Sequence, residues 1–131
     1  MRIIFTDTSA FAALFNIKDG YHNQAIKIFK KLSEQNAALV TTNIIRLETH
    51  ALLLSKANRD LAMQFLEEQS WHVEWVTFED ENNALKLLKK NNDKNYSLTD
   101  AVSFVVMNRL SLNEAFTFDR HFQQYGFKVL E

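Results

Sequence analysis

The stretch Ile3-Ile4-Phe5-Thr6-Asp7-Thr8-Ser9-Ala10-Phe11 decides how this chain is read. Ile3, Ile4 and Phe5 make a short apolar, β-prone run, the pattern of a strand buried on both faces. The run stops at Thr6-Asp7-Thr8-Ser9, and Ala10 to Phe15 continues as the first turns of a helix. A carboxylate at such a junction stands at the carboxyl end of a sheet, where open α/β sheets place their ligands. Asp, Ser and Thr also cap helices, and a cap is enough to explain Asp7 taken alone. Three more carboxylates at comparable junctions shift that balance.

Outward from this stretch, Lys18-Asp19-Gly20 reads as a turn. Ala25, Ile26, Phe29 and Leu32 then recur at helical spacing, with Lys27, Lys30 and Lys31 facing away. Ala38 to Thr41 predicts a second strand, and Thr42 or Asn43 caps a helix from Ile44 to about Ala57. The apolar positions of that helix are Ile44, Ile45, Leu47, Ala51, Leu52 and Leu54, and Glu48 shares a face with Ile45 and Leu52. A carboxylate there costs desolvation energy unless it is paired, and Arg46 falls on a different face. Asn58 or Asp60 starts a further helix with Leu61, Ala62, Phe65 and Leu66 inward. Val73 to Thr77 alternates as a third strand near an edge, and Glu79 to Lys90 is an amphipathic helix packing Ala84, Leu85, Leu87 and Leu88.

Past the polar loop Asn91 to Asn95, Ser97 followed by Asp100 is a capping box with Asp in the place of Glu or Gln. The helix behind it carries Leu98, Ala101, Val102, Phe104, Val105, Val106 and Met107, so it must lie deep against the sheet. Ala115-Phe116-Thr117-Phe118 is a fourth buried strand, and Asp119 follows it as Asp7 follows the first. Arg120 to Gln124 is a polar segment, Gly126 allows a turn, and Phe127 to Leu130 makes a last strand. Asp7, Glu48, Asp100 and Asp119 thus fall at the ends of buried strands or early in core helices.

Four unpaired carboxylates in one cleft would repel one another and raise their own pKa values. A purely structural cluster would need a basic partner for each acid, and no matched set of Lys or Arg adjoins these motifs. A hard divalent cation is the common remedy, and Mg²⁺ and Mn²⁺ prefer oxygen ligands. Such ions activate water and stabilise the attacking and leaving oxygens of a phosphodiester. Other chemistries fall away. There is no His-Glu-x-x-His, no Gly-rich phosphate loop and no cysteine. His22, His50, His72 and His121 do not form a spaced ligand set.

Composition is ordinary for a globular protein, at 47% hydrophobic and 24% charged. The formal net charge of −1 excludes a global basic field, so a nucleic-acid partner would need a local patch. Proline is absent and glycine occurs only at positions 20 and 126, which leaves no flexible linker. The expectation is one domain over residues 1–131, without a signal peptide or membrane span, in a reducing cytoplasmic setting.

Thr6-Asp7-Thr8-Ser9-Ala10-Phe11, Arg46-Leu47-Glu48, Ser97-Leu98-Thr99-Asp100-Ala101 and Phe116-Thr117-Phe118-Asp119-Arg120-His121-Phe122 resemble the four acidic motifs of PIN-domain ribonucleases. The resemblance spans essentially the whole chain, and in plan it is similar to the VapC-type toxins of type II toxin–antitoxin pairs. It implies an α/β/α sandwich around a mainly parallel sheet and a Mg²⁺- or Mn²⁺-dependent endoribonuclease. It also implies that Asp7, Asp100 and Asp119 hold metal, and that Glu48 binds metal or orients the attacking water. Ser9 and Thr117 would support those ligands from behind. The implied partners are RNA, a small antitoxin that blocks the site, and a second copy in a homodimer. Arg46, Lys94, Arg120 and His121 adjoin the motifs as candidate phosphate contacts, with Arg120 first. A housekeeping RNA-processing nuclease and a non-catalytic PIN-like binding module are the alternatives.

Overall fold

Ile4 and Phe5 point to opposite faces of one strand, and each face has its own core. The structure, a computed structural model, describes residues 1–131. Strand β1 (Ile3–Thr6) is central in a five-stranded, all-parallel sheet of order β3-β2-β1-β4-β5. Its companions are β2 (Ala38–Thr42), β3 (His72–Glu74), β4 (Glu114–Phe116) and β5 (Lys128–Val129). Phe5 pairs with Val40 on one side and Ala115 on the other. These three share a core of 18 buried residues, while Ile4, Leu39 and Phe116 belong to a second core of 9. Burial of the strand begins at Ile4, because Ile3 at the sheet's rim is exposed.

Seven helices cover the sheet: α1 (Thr8–Phe15), α2 (His22–Glu34), α3 (Asn43–Lys56), α4 (Arg59–Glu67), α5 (Phe78–Lys90), α6 (Leu98–Arg109) and α7 (Arg120–Tyr125). Helix α2 buries Ala25, Ile28 and Leu32 in the smaller core, and its lysines face outward as expected. Ile28 replaces Ile26 and Phe29 at the centre of the buried stripe, with those two half-buried beside it. Helices α3 to α7 supply the larger core, in which α6 is buried almost all round.

Three local expectations are revised. The third strand is shorter than Val73–Thr77 and ends at Glu74, because Thr77 is already the N-cap of α5 in a capping box with Asp80. The fourth strand stops at Phe116, and the polar segment after Asp119 is helix α7, anchored by buried Phe122. In α3 the buried positions are Ile45, Thr49 and Leu53, while Leu47 is 66% and Leu54 50% exposed. The helix has more apolar residues than its packing against α1 and α4 can cover. Glu48 is therefore on an open face and escapes the desolvation cost that its neighbours Ile45 and Leu52 implied.

The Thr49 hydroxyl is buried without a hydrogen-bond partner. Thr49→Val keeps its shape and removes the stranded polar group, so it is expected to stabilise the fold by about 1 kcal/mol in urea unfolding. A loss of stability would mean that the hydroxyl has a partner after all.

The sheet order creates the place for a site. From β1 the chain builds outward through β2 to β3, then crosses back to add β4 on the other side of β1. The carboxyl ends of β1 and β4 thus flank the switch point, the crevice where doubly wound sheets bind ligands. No helix is long and apolar enough to cross a membrane.

Candidate active site

Asp7 leaves β1 in extended conformation and stands at the N-cap of α1, but its side chain makes no cap hydrogen bond. The capping explanation for this residue therefore fails. Its Oδ2 instead accepts hydrogen bonds from the hydroxyls of Thr117 (2.9 Å) and Ser9 (3.1 Å). Those hydroxyls have partners of their own. Ser9 Oγ accepts from the Phe118 amide, and Thr117 Oγ1 accepts from the Asp119 amide, both at 2.9 Å. Ser9 and Thr117 so tie the end of β1 to the end of β4 and fix the Asp7 carboxylate between them.

The other three acids come from separate elements. Glu48 is in the second turn of α3 and accepts a 2.7 Å hydrogen bond from the Thr8 hydroxyl. Asp100 is the third residue of α6, where its Oδ2 accepts from the Ser97 amide while Ser97 Oγ accepts from the Asp100 amide. That reciprocal box holds the carboxylate in one orientation. Asp119 caps α7 by accepting from the His121 amide at 2.9 Å. Asp7, Glu48, Asp100 and Asp119 line a single cleft of about 400 Å³, together with Thr8, Ser9, Ser97 and His121.

His121 is the residue that sequence reasoning undervalued. Its Nδ1 lies 2.8 Å from Asp100 Oδ2 and 3.5 Å from Asp119 Oδ1. A carboxylate only accepts, so the Nδ1 proton is directed at Asp100. The signal lay in Asp119-Arg120-His121: a cap carboxylate that bonds the amide two residues on brings that residue's side chain beside it. Of the sequence-based candidates for RNA contact, His121 lines the cleft, whereas Arg120, Arg46 and Lys94 do not. Arg120 is exposed, and Arg46 donates to the Leu66 carbonyl on the far side of α3.

No Lys or Arg lines the cleft. Burial pushes the Asp7 carboxyl up to about 6, with the Asp119 charge adding to the rise and the Thr117 and Ser9 hydrogen bonds opposing it. An acid held this way, among other acids and without a fixed cation, fits a site completed by an external positive charge. Asp100, Asp119 and His121 each offer a ligand atom, all within 4.8 Å of one another. An oxygen-rich set with one imidazole suits a hard or borderline divalent ion such as Mg²⁺ or Mn²⁺.

The PIN domain family model matches residues 4–128, nearly the entire fold that carries this cleft. The chain belongs to the PIN-domain family. Among characterised proteins, this PIN domain is similar to the 23S rRNA-specific endonuclease VapC20 of Mycobacterium tuberculosis, in both strain H37Rv and strain CDC 1551. Identity is 31% over 128 residues, covering 95% of each chain. The crystal structure of M. tuberculosis VapC20, described as a sarcin–ricin loop cleaving toxin, superposes with a TM-score of 0.85 at 32% identity over 95% of both chains. VapBC2 from Rickettsia felis, bound to a promoter DNA fragment, shares the PIN fold at a TM-score of 0.74, with 10% identity over 98% of this chain and 97% of that one.

Proposed function

We propose that this PIN domain, a single nuclease unit over residues 1–131, is a metal-dependent endoribonuclease and the toxin of a type II toxin–antitoxin pair. The observation that carries the reading is the meeting of four carboxylates from four separate segments in one cleft without a Lys or Arg. Its likeness to an rRNA-cleaving VapC toxin over 95% of the chain supports RNA as the substrate class. Asp7, Asp100 and Asp119 would hold Mg²⁺ or Mn²⁺, with the His121 imidazole beside Asp100 and Asp119. When bound, the ion lowers the pKa of a coordinated water and neutralises charge on the phosphodiester.

The chain's own residues do the rest. Glu48, exposed and anchored by Thr8, would accept a proton from the attacking water as the water oxygen bonds to phosphorus and the P–O bond to the leaving ribose breaks, the ribose oxygen taking its proton from solvent in the open cleft. Ser9 and Thr117 keep Asp7 in place through that step. A cognate small antitoxin, a homodimeric state and a cytoplasmic location belong to the same reading.

The test is cleavage of a mixed RNA pool by purified protein in Mg²⁺, in Mn²⁺ and in chelator, with Asp100→Asn alongside. Cutting that needs metal and vanishes in the variant is the expected result. Failure to cut any RNA together with failure to bind either ion would favour a non-catalytic binding module. For the toxin role, expression without its antitoxin should arrest growth, and Asp7→Asn should relieve the arrest; growth unaffected by the wild type would point to housekeeping RNA processing.

A further inference from the structure

A cleft of about 630 Å³, larger than the acidic one, lies as a groove between α5 and α6. It is lined mainly by polar side chains, and its charge is divided along its length. At the end where α5 begins, Arg109 is fully engaged, donating to both oxygens of Asp80 and to Glu74. At the end where α5 finishes, Lys86 and Lys90 stand one helical turn apart, exposed and without an ion-pair partner. Asn83 and Asn108 add amide groups to the same groove.

This basic end adjoins the acidic cleft by two routes. Along the chain, Lys90 is followed by a short turn to Asn95, which lines the acidic cleft. Across the surface, His121 lines the cleft and Tyr125, one turn later on α7, lines the groove. The Tyr96 ring stands between them, 5.4 Å from His121 and 5.9 Å from Tyr125 between ring centroids. One turn of helix therefore separates an acidic pocket from a lysine-bearing groove, in a protein whose net charge is −1.

We propose that the α5–α6 groove binds the ribose–phosphate backbone of the RNA substrate beside the scissile position, with Lys86 and Lys90 contacting phosphates. This rests on the nuclease reading above and extends it. The acidic cleft repels RNA until it is neutralised, so attraction must come from outside it, and Lys86 and Lys90 are two unpaired cations, one helical turn apart, in the groove that adjoins it. The contacts are to phosphate, so they position the strand without reading its sequence.

The test measures binding of fluorescein-labelled single-stranded and hairpin RNAs in Mg²⁺ across a salt series, with every protein carrying Asp100→Asn so that the RNA stays intact. Two lost phosphate contacts should make the log–log salt slope shallower by roughly 1.4 to 1.8. Lys86→Glu with Lys90→Glu is expected to do this and to weaken binding at least tenfold in low salt. Lys86→Arg with Lys90→Arg should restore both. Lys27→Glu with Lys30→Glu, the same charge change on exposed α2, should leave the slope unchanged. Equal slopes for parent and groove variant would overturn the assignment and leave the nuclease reading standing. Equal shifts in the groove and α2 variants would also overturn it, since only net charge would then matter. A parent protein that binds neither RNA, together with no cleavage by the wild type, would remove both readings.

Discussion

Asp7→Asn is expected to make the metal-free protein more stable and the enzyme inactive. The Asp7 carboxyl is raised to about 6 from an ordinary value of 3.8, chiefly by burial. Between those two values the folded protein holds a proton that the unfolded chain has released. Stability of the metal-free wild type therefore falls as pH rises from about 4 to about 6, and stays lowered above that. The difference corresponds to roughly 3 kcal/mol at neutral pH. Asparagine keeps an acceptor for Thr117 and Ser9 but carries no charge, so it escapes that cost. In chelator at pH 7.5 the variant should melt roughly 5–10 °C above the wild type, and the gap should close toward pH 4.

Adding Mg²⁺ or Mn²⁺ should raise the wild type and leave the variant nearly unmoved, since a ligand stabilises only the form that binds it. Cleavage should fall by about 10³-fold or more, the scale of several kcal/mol of lost charge stabilisation. A variant that melts below the wild type in chelator would show that the Asp7 charge is compensated within the protein.

The second large effect lies away from the cleft. Asp80 is only 2% exposed, and Arg109 Nε and Nη2 donate to its two oxygens at 2.9 Å each. Burial pushes the Asp80 carboxyl up, but the Arg109 hydrogen bonds and charge, with the Thr77 amide, outweigh it and hold the group below the usual range. Arg109→Met would leave that carboxylate buried and unpaired, a defect that typically costs 3–5 kcal/mol. Arg109 is about a third exposed and water can reach the gap, so the lower end applies, about 3 kcal/mol. Arg109→Met with Asp80→Asn should recover most of the loss. Because the Asp80 pKa is lowered, the pair's contribution is present at pH 5–7 and is lost as pH falls below about 4, where the single variant should approach the wild type. Urea unfolding of the three proteins across this range is the check; a single variant within 1 kcal/mol of wild type at pH 7 would sink the argument.

How much could be read beforehand depended on whether the signal was local. The β1 run, the carboxylate at its end and the Ser97–Asp100 box each follow from a few adjacent residues, and each stands where the sequence put it. Glu48 needed more. Helix α3 has apolar residues on more than one face, and spacing cannot say which stripe a neighbour will cover. The sequence set Glu48 on a packed face, whereas α1 and α4 take Ile45, Thr49 and Leu53 and leave Glu48 open to the cleft. His121 was obscured for a related reason: only the cap geometry of α7, itself unrecognised as a helix, turns it toward Asp100. The pairing of Arg109 with Asp80 joins residues 29 apart, and nothing in either segment announces the other.

The position of β4 has a consequence for how the protein comes into being. Its strand is laid down against β1 after more than a hundred residues have intervened, with the Asp7 amide donating to the Phe116 carbonyl. A nascent chain emerging from the ribosome has Asp7 and Glu48 early, but lacks Thr117, Asp119 and His121 until β4 and the start of α7 have been made. Chains fold from their first residues as they are made, at about 5–20 residues per second. Polypeptides aborted before Glu114 therefore carry Asp7, Glu48 and Asp100 but lack Asp119 and His121, and Asp7 lacks its Thr117 hydrogen bond. The cleft is thus completed only when β4 and α7 have followed α6 out of the ribosome, because Asp119 and His121 come from those later segments.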